Sequence, residues 1–594
     1  MSDPSNTEIA AALDELGDLY ELDGAVIHRV AAYRTGAKAV RETSTSVAQL
    51  AREGRATQLP GIGATLQEKV QALVQTGEIP ALVKLRAKFP PGLVEMTRLP
   101  GLGPKRARRL YEELQIDSLA SLQEAAKAQR IRALKGFGAK VEEQLLAALV
   151  AHQTSGPANR MVLSKALAVG EELLAAIREQ PGTDRAELAG SARRMTDSVK
   201  DLDIVATASD PATLARAAAA LPQVQTASIP GDNAVRLRTH SGLRVDLRIV
   251  EPDQFGNVLQ HLTGSKEHNV ALRDFAVRGG LHISEYGVLD DATAITHRCP
   301  TEAEVYALLG MAYIEPELRE NRGELEAALN GSLPELVKLE DLKGDLHCHT
   351  QASDGTASIE EMAQAARQAG YEYLAITDHS ASMGFGADVS GDELKRQIEC
   401  IRQVDARIDG IRLLAGSEVN ILPDGSLDYA DELLAQLDWV VASVHTSFRM
   451  SAVDMTARII SAVEHPYVDC IGHLTGRKIA RRPPYQFDFE AVIEASGRSG
   501  TMLEINANPD RRDLNELHAR AAAAAGVSLV INTDAHRVGG FTVARYGVAT
   551  ARRAWLSAEQ IANTRAWAEL APRLSRARHA AGSSKTTPDP RPSR

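Results

Sequence analysis

From residue 343 onward, seven apolar runs alternate with Ala-rich, helix-like stretches: GDLHCHT, YLAIT, RLLAGSEV, WVVASVH, VDCIGH, TMLEIN and VSLVINT. Repeated strand–helix units of this kind fold into a parallel sheet or barrel. Run after run ends in a histidine or a carboxylate: His347 and His349 with Asp354 close behind, His379, Glu418, His445, His473, and then Asp534 and His536. In a (β/α) barrel the C-terminal strand ends share one face, and active sites sit there. One such residue would be an ordinary cap or core histidine, but nine at strand ends describe a site. Imidazole and carboxylate without cysteine suit Zn²⁺, Mn²⁺ or Fe²⁺. His465 and His518 fall off the pattern and are expected to be structural or exposed.

The middle of the chain carries a second constellation. Gly190-Ser191 precedes Arg193-Arg194, and Asp201-Leu-Asp203 opens the β-branched run DLDIVATA. Alternate strand residues point to one face, so Asp201 and Asp203 project together. Asp246 sits in a second strand-like run, LRVDLRIV. Three carboxylates brought to one point require hard cations, most simply Mg²⁺. With a Gly-Ser turn and arginines nearby, the set fits in-line nucleotidyl transfer.

Residues 1–150 read as short helices, with a repeat at Leu59-Pro-Gly-Ile-Gly-Ala64, Leu99-Pro-Gly-Leu-Gly-Pro104 and Leu134-Lys-Gly-Phe-Gly-Ala139. The glycine pairs Gly61/Gly63, Gly101/Gly103 and Gly136/Gly138 are expected at φ > 0 in tight turns. Each turn opens a helix whose N–H groups can meet phosphate, a contact independent of base sequence. The net charge of −11 argues against nucleic acid, but residues 51–150 hold 16 Lys and Arg against 10 Asp and Glu. A local basic face can still meet a phosphate backbone.

With 594 residues the chain must hold several domains. Its 44% hydrophobic and 24% charged content excludes a mainly disordered protein. Four scattered cysteines, none in a CxxC pair, fit a reducing compartment and no thiolate zinc knuckle. The absence of a basic-then-apolar start and of any apolar run of about 18 residues leads us to expect a cytoplasmic protein with no membrane partner.

Residues 190–203 and 246–288 resemble the family X DNA polymerases, the group that includes DNA polymerase β. The block FGNVLQHLTGSKEHN, continuing to Arg273 and SEYG, is similar to that family's TGS and downstream Asn–Arg pattern. The resemblance implies that Asp201, Asp203 and Asp246 hold two catalytic Mg²⁺ or Mn²⁺ ions. It places Gly190, Ser191 and Arg194 at the triphosphate and Thr263 and Gly264 at the sugar. Asn269 and Arg273 would lie near the nascent base pair, and Arg244 beside the primer terminus. Lys200 stands where the pattern has Gly, and His261-Leu262 where an aromatic pair is usual. Lys69 matches the Schiff-base lysine of the polymerase β lyase domain, although Thr65 replaces another lysine there. The glycine repeats resemble helix-hairpin-helix motifs.

The C-terminal set resembles the polymerase-and-histidinol-phosphatase (PHP) domain, with all nine ligand positions filled from Gly344 to His536. That resemblance implies a distorted (β/α)7 barrel with three divalent metals. His347, His349, Glu418 and Asp534 would hold one, and Glu418 with His445 and His473 the second. Asp354, His379 and His536 would hold the third. Both halves together are similar to bacterial PolX.

The expected architecture is multidomain. A lyase-like helical domain (1–90) and a helix-hairpin-helix domain (91–157) precede an α+β polymerase palm (158–250) and thumb (251–319). A polar linker (320–342), the α/β PHP barrel (343–575) and a disordered tail (576–594) follow. The expected function is a monomeric gap-filling polymerase of base-excision repair, acting on gapped or nicked DNA with dNTPs, plus a 3'→5' exonuclease and AP endonuclease. The alternatives are a phosphatase of small molecules and a non-catalytic DNA-end binding protein.

Overall fold

A computed structural model describes residues 3–97, 99, 102–154, 160–231, 233–382 and 388–575. Gly101 and the tail expected to be disordered (576–594) lie outside the described residues. The chain forms two compact units. One comprises Met1–Met161, Lys165–Ala189 and Val199–Phe255; the other comprises Val162–Ser164, Gly190–Ser198 and Gly256–Arg594.

The first unit begins with helix α1 (Asn6–Leu22), started by a Ser5–Glu8 capping box. Its stripe of Ile9, Leu13, Leu16 and Leu19 is fully buried. Each glycine repeat precedes a helix: α2 (Ala64–Thr76), α3 (Pro104–Leu114) and α4 (Gly138–Thr154). The backbone corrects the expectation of φ > 0 at every glycine. Gly61, Gly136 and Gly138 have φ of 95°, 88° and 51°, whereas Gly63 and Gly103 are extended N-caps at −85° and −73°. A Cβ on Gly63 or Gly103 would meet nothing within 4 Å. At these two positions the missing side chain leaves the helix start open rather than permitting a turn.

The same unit holds a five-stranded sheet: β1 (Thr183–Ala189), β2 (Asp201–Ala208), β3 (Val224–Gly231), β4 (Ala234–Thr239) and β5 (Arg244–Ile249). Its order is β1-β2-β5-β4-β3, with β2 and β5 parallel and the other pairs antiparallel. The two strands that the sequence did not suggest, β1 and β3, are the edges.

In the second unit, α5 (Phe255–Thr263) and α6 (Lys266–Arg278) precede a three-stranded antiparallel sheet. The stretch 320–342, read from sequence as a polar linker, carries helix α7 (Glu324–Asn330). It buries Glu324 and Val337 completely. Seven parallel strands follow: β6 (Gly344–Cys348), β7 (Tyr373–Ile376), β8 (Arg412–Asn420), β9 (Trp439–Ser443), β10 (Cys470–Ile471), β11 (Met502–Asn506) and β12 (Leu529–Asn532). They pair in sequence order. Leu346 N–H donates to Asn532 Oδ1 (3.0 Å) and His349 N–H to Ala535 O (2.8 Å), which draws the last strand to the first. The result is a nearly closed seven-stranded barrel. Its strands are buried along almost their whole length, so they read as continuous apolar runs. Helix α8 (Ala544–Arg553) packs on the last strands. Among the described residues, no helix is long and apolar enough to cross a membrane.

Candidate functional site

Parallel pairing of β2 with β5 sets Asp203 opposite Asp246 and Asp201 opposite Arg244. Asp201 and Asp203, two apart, share a face, so the ladder puts all three carboxylates on one side of the sheet. All three are half-buried. Arg244 Nη2 lies 3.7 Å from Asp201 Oδ2, and Arg236, on β4, places Nε 3.7 Å from Asp246 Oδ1. Arg236 was not foreseen; only the strand register reveals it. Lys69 is half-buried on α2.

Gly190 enters the next turn with φ of 65°. The segment curls back on itself: Thr196 N–H and Oγ1–H both donate to Ser191 O (3.2 and 3.1 Å). Arg193 donates two hydrogen bonds to Glu302, one to each carboxylate oxygen (2.8 and 2.7 Å), and a third to Thr263 Oγ1 (3.0 Å). Arg194 donates to Thr263 O (2.8 Å) and Glu320 Oε1 (3.0 Å). Asn269 Nδ2 donates to His261 O (2.7 Å), and Arg273 Nε to Asn269 O (3.2 Å). A Cβ on Gly264 would stand 2.3 Å from Asn269 Oδ1, so only glycine fits. The structure thus gathers Arg194, Thr263, Gly264, Asn269 and Arg273 into one neighbourhood.

At the C-terminal ends of the barrel strands, the nine expected residues converge. Seven are buried, while Asp354 and His536 reach solvent. Glu418 lies at the centre. Its Oε1 is 2.9 Å from His473 Nε2 and 3.1 Å from His445 Nε2; its Oε2 is 2.9 Å from His379 Nδ1 and 3.4 Å from His347 Nε2. Asp534 Oδ1 is 3.1 Å from His349 Nε2. Asp354 Oδ1 is 3.4 Å from His379 Nε2 and 3.3 Å from His536 Nε2. Three groups have ligand atoms within 4.8 Å of one another: His349, Asp354, His379 and His536; His347, His349 and Asp534; and His379, Glu418 and His445. His349 and His379 are each shared between two groups, so the sets interlock more closely than the three implied by resemblance.

The carboxylates and imidazoles of the cluster are tightly coupled: against their burial, Glu504 and Glu418 raise His347 well above its ordinary value, and Glu418 with Asp354 raises His379 to about 10. Burial opposes the charge of Glu418, yet His445, His347 and His379 hold its pKa well below the usual range. Asp534 is likewise held low, against its burial, chiefly by His347 and His349. Burial pushes His349 and His473 down to about 4, leaving neutral rings with lone pairs. Both oxygens of Glu418, both ring nitrogens of His445, Nε2 of His347 and Nδ1 of His349, His379 and His473 are buried without a well-formed hydrogen bond. Buried polar atoms are seldom left so. Their convergence, with nitrogen and oxygen donors only, fits divalent cations such as Zn²⁺, Mn²⁺ or Fe²⁺.

Comparison with known proteins finds four family matches along the chain. Residues 4–79 match the helix-hairpin-helix domain and 93–150 the SAM-like helix-hairpin-helix tandem. Residues 258–320 match the DNA polymerase beta thumb and 345–508 the PHP domain. Over 560 residues, the chain is 37% identical to the DNA polymerase/3'-5' exonuclease PolX of Bacillus subtilis, covering 94% of this chain and 97% of that protein. The chain belongs to the PolX family. Its PolX barrel is also 32% identical, over 203 residues, to a probable phosphatase of Caldanaerobacter subterraneus subsp. tengcongensis, covering 32% of this chain and 75% of that protein. A probable phosphatase of Acetivibrio thermocellus is 32% identical over 201 residues, covering 32% of this chain and 78% of that protein.

Two features of this PolX barrel escaped the sequence. Glu504, on β11, accepts from His347 Nδ1 (2.7 Å), Asn532 Nδ2 (3.0 Å), His473 N–H (2.7 Å) and Asn506 Nδ2 (3.1 Å). It fixes the His347 ring so that Nε2 faces Glu418, an outer partner of the type that orients metal ligands. The available signal was that TMLEIN is the one strand run to which no ligand was assigned. The second feature is a cationic wall. The cleft over the cluster holds ≈ 320 Å³ and is bordered by Lys478, Arg482 and Arg511. Arg482 lies 4.1 Å over the Phe448 ring, and Arg511 Nε is 3.5 Å from Asp534 Oδ2. In sequence these are surface-like charges, and nothing local marks them as facing a cleft.

Proposed function

We propose that this chain is a family X DNA polymerase that fills short gaps during base-excision repair, and that its barrel is a metal-dependent 3'→5' exonuclease and abasic-site endonuclease. The observation that carries the reading is the parallel register of Asp203 with Asp246 in a chain 37% identical to PolX over nearly its whole length.

In the polymerase half, Asp201, Asp203 and Asp246 hold Mg²⁺ or Mn²⁺. Gly190, Ser191 and Arg194 receive the triphosphate of a dNTP, and Thr263 and Gly264 lie against its sugar. Asn269 and Arg273 stand by the nascent pair, with Arg244 at the primer end. The glycine hairpins grip the phosphates of gapped or nicked DNA through backbone N–H groups. Lys69 is the candidate amine for attack on an abasic sugar.

In the barrel, the nine residues around Glu418 hold three divalent cations. At both sites such cations supply Lewis acidity toward phosphate oxygens. Glu504 orients His347, and Lys478, Arg482 and Arg511 bind substrate phosphate through charge-assisted hydrogen bonds. The probable phosphatases related to the barrel favour a second reading, hydrolysis of small phosphate monoesters. A wall of three cations suits a substrate with more than one phosphate and favours the nucleic acid.

The test is extension of a gapped duplex and degradation of a 3'-labelled strand by two variants. Asp203→Ala should lose extension by orders of magnitude and retain degradation. Glu418→Ala should do the reverse and lose bound metal. Wild-type extension by the first variant would exclude the polymerase site, and full metal content with undiminished degradation in the second would exclude the barrel site.

A further inference from the structure

We propose that three arginines of the barrel half, Arg477, Arg512 and Arg553, are positioning residues for the polymerase reaction, because they hold the segment Gly190–Asp197 in its nucleotide-receiving shape. This rests on the proposed contact of Ser191 and Arg194 with the incoming triphosphate. The three arginines come from different places: Arg477 follows β10, Arg512 follows β11, and Arg553 ends α8.

They grip successive points of the segment. Arg553 Nη1 donates to Arg194 O (2.8 Å) and to Glu320 Oε1 (2.9 Å). That same Glu320 oxygen accepts from Arg194 Nε (3.0 Å), so one carboxylate ties the two guanidinium groups together. Arg512 Nη1 donates to Met195 O (2.8 Å) and stands 3.4 Å from Asp197 Oδ1. Arg477 Nη1 donates to Asp197 Oδ2 (2.7 Å).

The arginines are themselves fixed. Arg512 is 1% exposed and donates from Nε to Thr550 Oγ1 (2.9 Å), and Arg553 donates from Nη2 to Glu516 Oε1 (2.8 Å).

The grip falls where the backbone needs it. Met195 has φ of 55°, a left-handed conformation that a non-glycine residue seldom adopts. Its carbonyl is the one that Arg512 engages. Strained turns persist only where their surroundings determine them, and here the surroundings are three buried or half-buried charges from another fold element. The arginines reach the segment through its carbonyls and the Asp197 carboxylate, and Glu320, outside it, takes only Nε of Arg194, so the grip does not occupy the Ser191 hydroxyl or the Nη atoms of Arg194. Release of the segment would misplace the triphosphate contacts, while the DNA-binding hairpins, built elsewhere in the chain, would be unaffected.

The experiment uses the full chain. Arg477→Ala, Arg477→Lys and Arg553→Ala are compared with Arg194→Ala on gapped duplex, reading dNTP KM, kcat, DNA affinity and melting temperature. Arg512 is left intact because its neighbour Arg511 lines the barrel cleft. Arg477→Ala and Arg553→Ala should raise dNTP KM about tenfold with little change in kcat or DNA affinity. Arg477→Lys, which can still reach Asp197, should recover most of the loss. A merely structural role would lower the melting temperature without splitting KM from kcat. If Arg194→Ala raises KM but the folded barrel variants leave it unchanged, the positioning role is overturned and the nucleotide reading stands. If Arg194→Ala also leaves KM unchanged, the nucleotide reading falls and the inference with it. Should Arg477→Ala fail to fold, Asp197→Asn weakens the same ion pair from the loop side, and an unchanged KM there overturns the inference.

Discussion

Replacing Glu504 with Gln keeps the size of the side chain and removes one acceptor. Each carboxylate oxygen now meets two donors: Oε1 meets His347 Nδ1 and Asn532 Nδ2, and Oε2 meets His473 N–H and Asn506 Nδ2. A Gln amide has one carbonyl oxygen, and its NH₂ end faces two donors whichever way it turns. Two fully buried donors are then unmatched. At about 1–3 kcal/mol for each, the barrel should lose roughly 2–6 kcal/mol, less whatever relaxation recovers. The ligand geometry also loosens, since the His347 ring loses its anchor or must change tautomer. Outer partners of ligating histidines are worth about 10–100-fold in metal affinity. We expect Glu504→Gln to melt earlier, to give up metal 10–100-fold more readily in chelator competition followed by elemental analysis, and to lose exonuclease activity in proportion. Gap extension should persist, because the polymerase carboxylates belong to a different sheet. A Glu504→Gln protein with wild-type melting and metal retention within about twofold would refute the argument that this carboxylate orients the ligand.

Two further outcomes follow from the same structure. Gly61→Val puts a β-branched residue at φ of 95°, with its Cβ 3.0 Å from Thr35 Cγ2. Binding to gapped DNA should weaken and its salt dependence become shallower, and an unchanged slope in a folded variant would exclude phosphate contact at this hairpin. Glu516, paired with Arg553 at 2.8 Å, has its pKa brought down to about 2: burial opposes ionisation, and the Arg553 charge outweighs it. A lowered folded pKa contributes stability above the unfolded value near 4.5, lost as pH falls toward 2. The contribution at neutral pH is roughly 3 kcal/mol. The stability gap between wild type and Glu516→Gln, followed by denaturant unfolding, should therefore narrow progressively from about pH 5 down to about pH 2; a gap independent of pH would show that the carboxylate's charge is not what Arg553 uses.

The barrel was legible because its strands are buried on both faces and its ligands stand at their ends. Each strand is a run of apolar residues that closes on a polar one, and all seven runs became strands. The palm was half legible for the same reason. β4 and β5 alternate buried with less buried residues and the central β2 is an apolar run buried from Ile204 to Thr207, whereas β3 is exposed over most of its length and its sequence, VQTASIPG, carries no period. Edge strands need only one partner and little burial, so nothing forces a pattern on them. The stretch 320–342 misled for the opposite reason. Glu324 looks like a surface residue, yet it is completely buried, where it accepts from the backbone N–H groups of Asn321 and Arg322 and lies 2.6 Å from His268 Nδ1. A charge satisfied by neighbouring backbone N–H groups and by one distant side chain, His268, is indistinguishable, in a one-dimensional reading, from a charge satisfied by water.

Arg511 and Arg512 bring this to its sharpest form. In sequence they are two consecutive arginines in an apparently solvated loop. In the fold, Arg511 borders the barrel cleft beside Asp534, while Arg512 turns away and donates to Met195 O of the nucleotide segment. Neighbouring residues on an irregular segment follow no period, so only the coordinates distinguish the two. The loop that carries them also sets Asp513 to accept from Thr475 N–H and Oγ1–H, and Thr475 lies two residues after His473, one of the nine clustered residues. A substitution that moves this loop therefore reaches the barrel site through Arg511 and the nucleotide segment through Arg512. On the proposed site assignments, side-chain replacement at Asp203 or Glu418 should therefore separate the two functions, whereas rebuilding residues 508–513 should not.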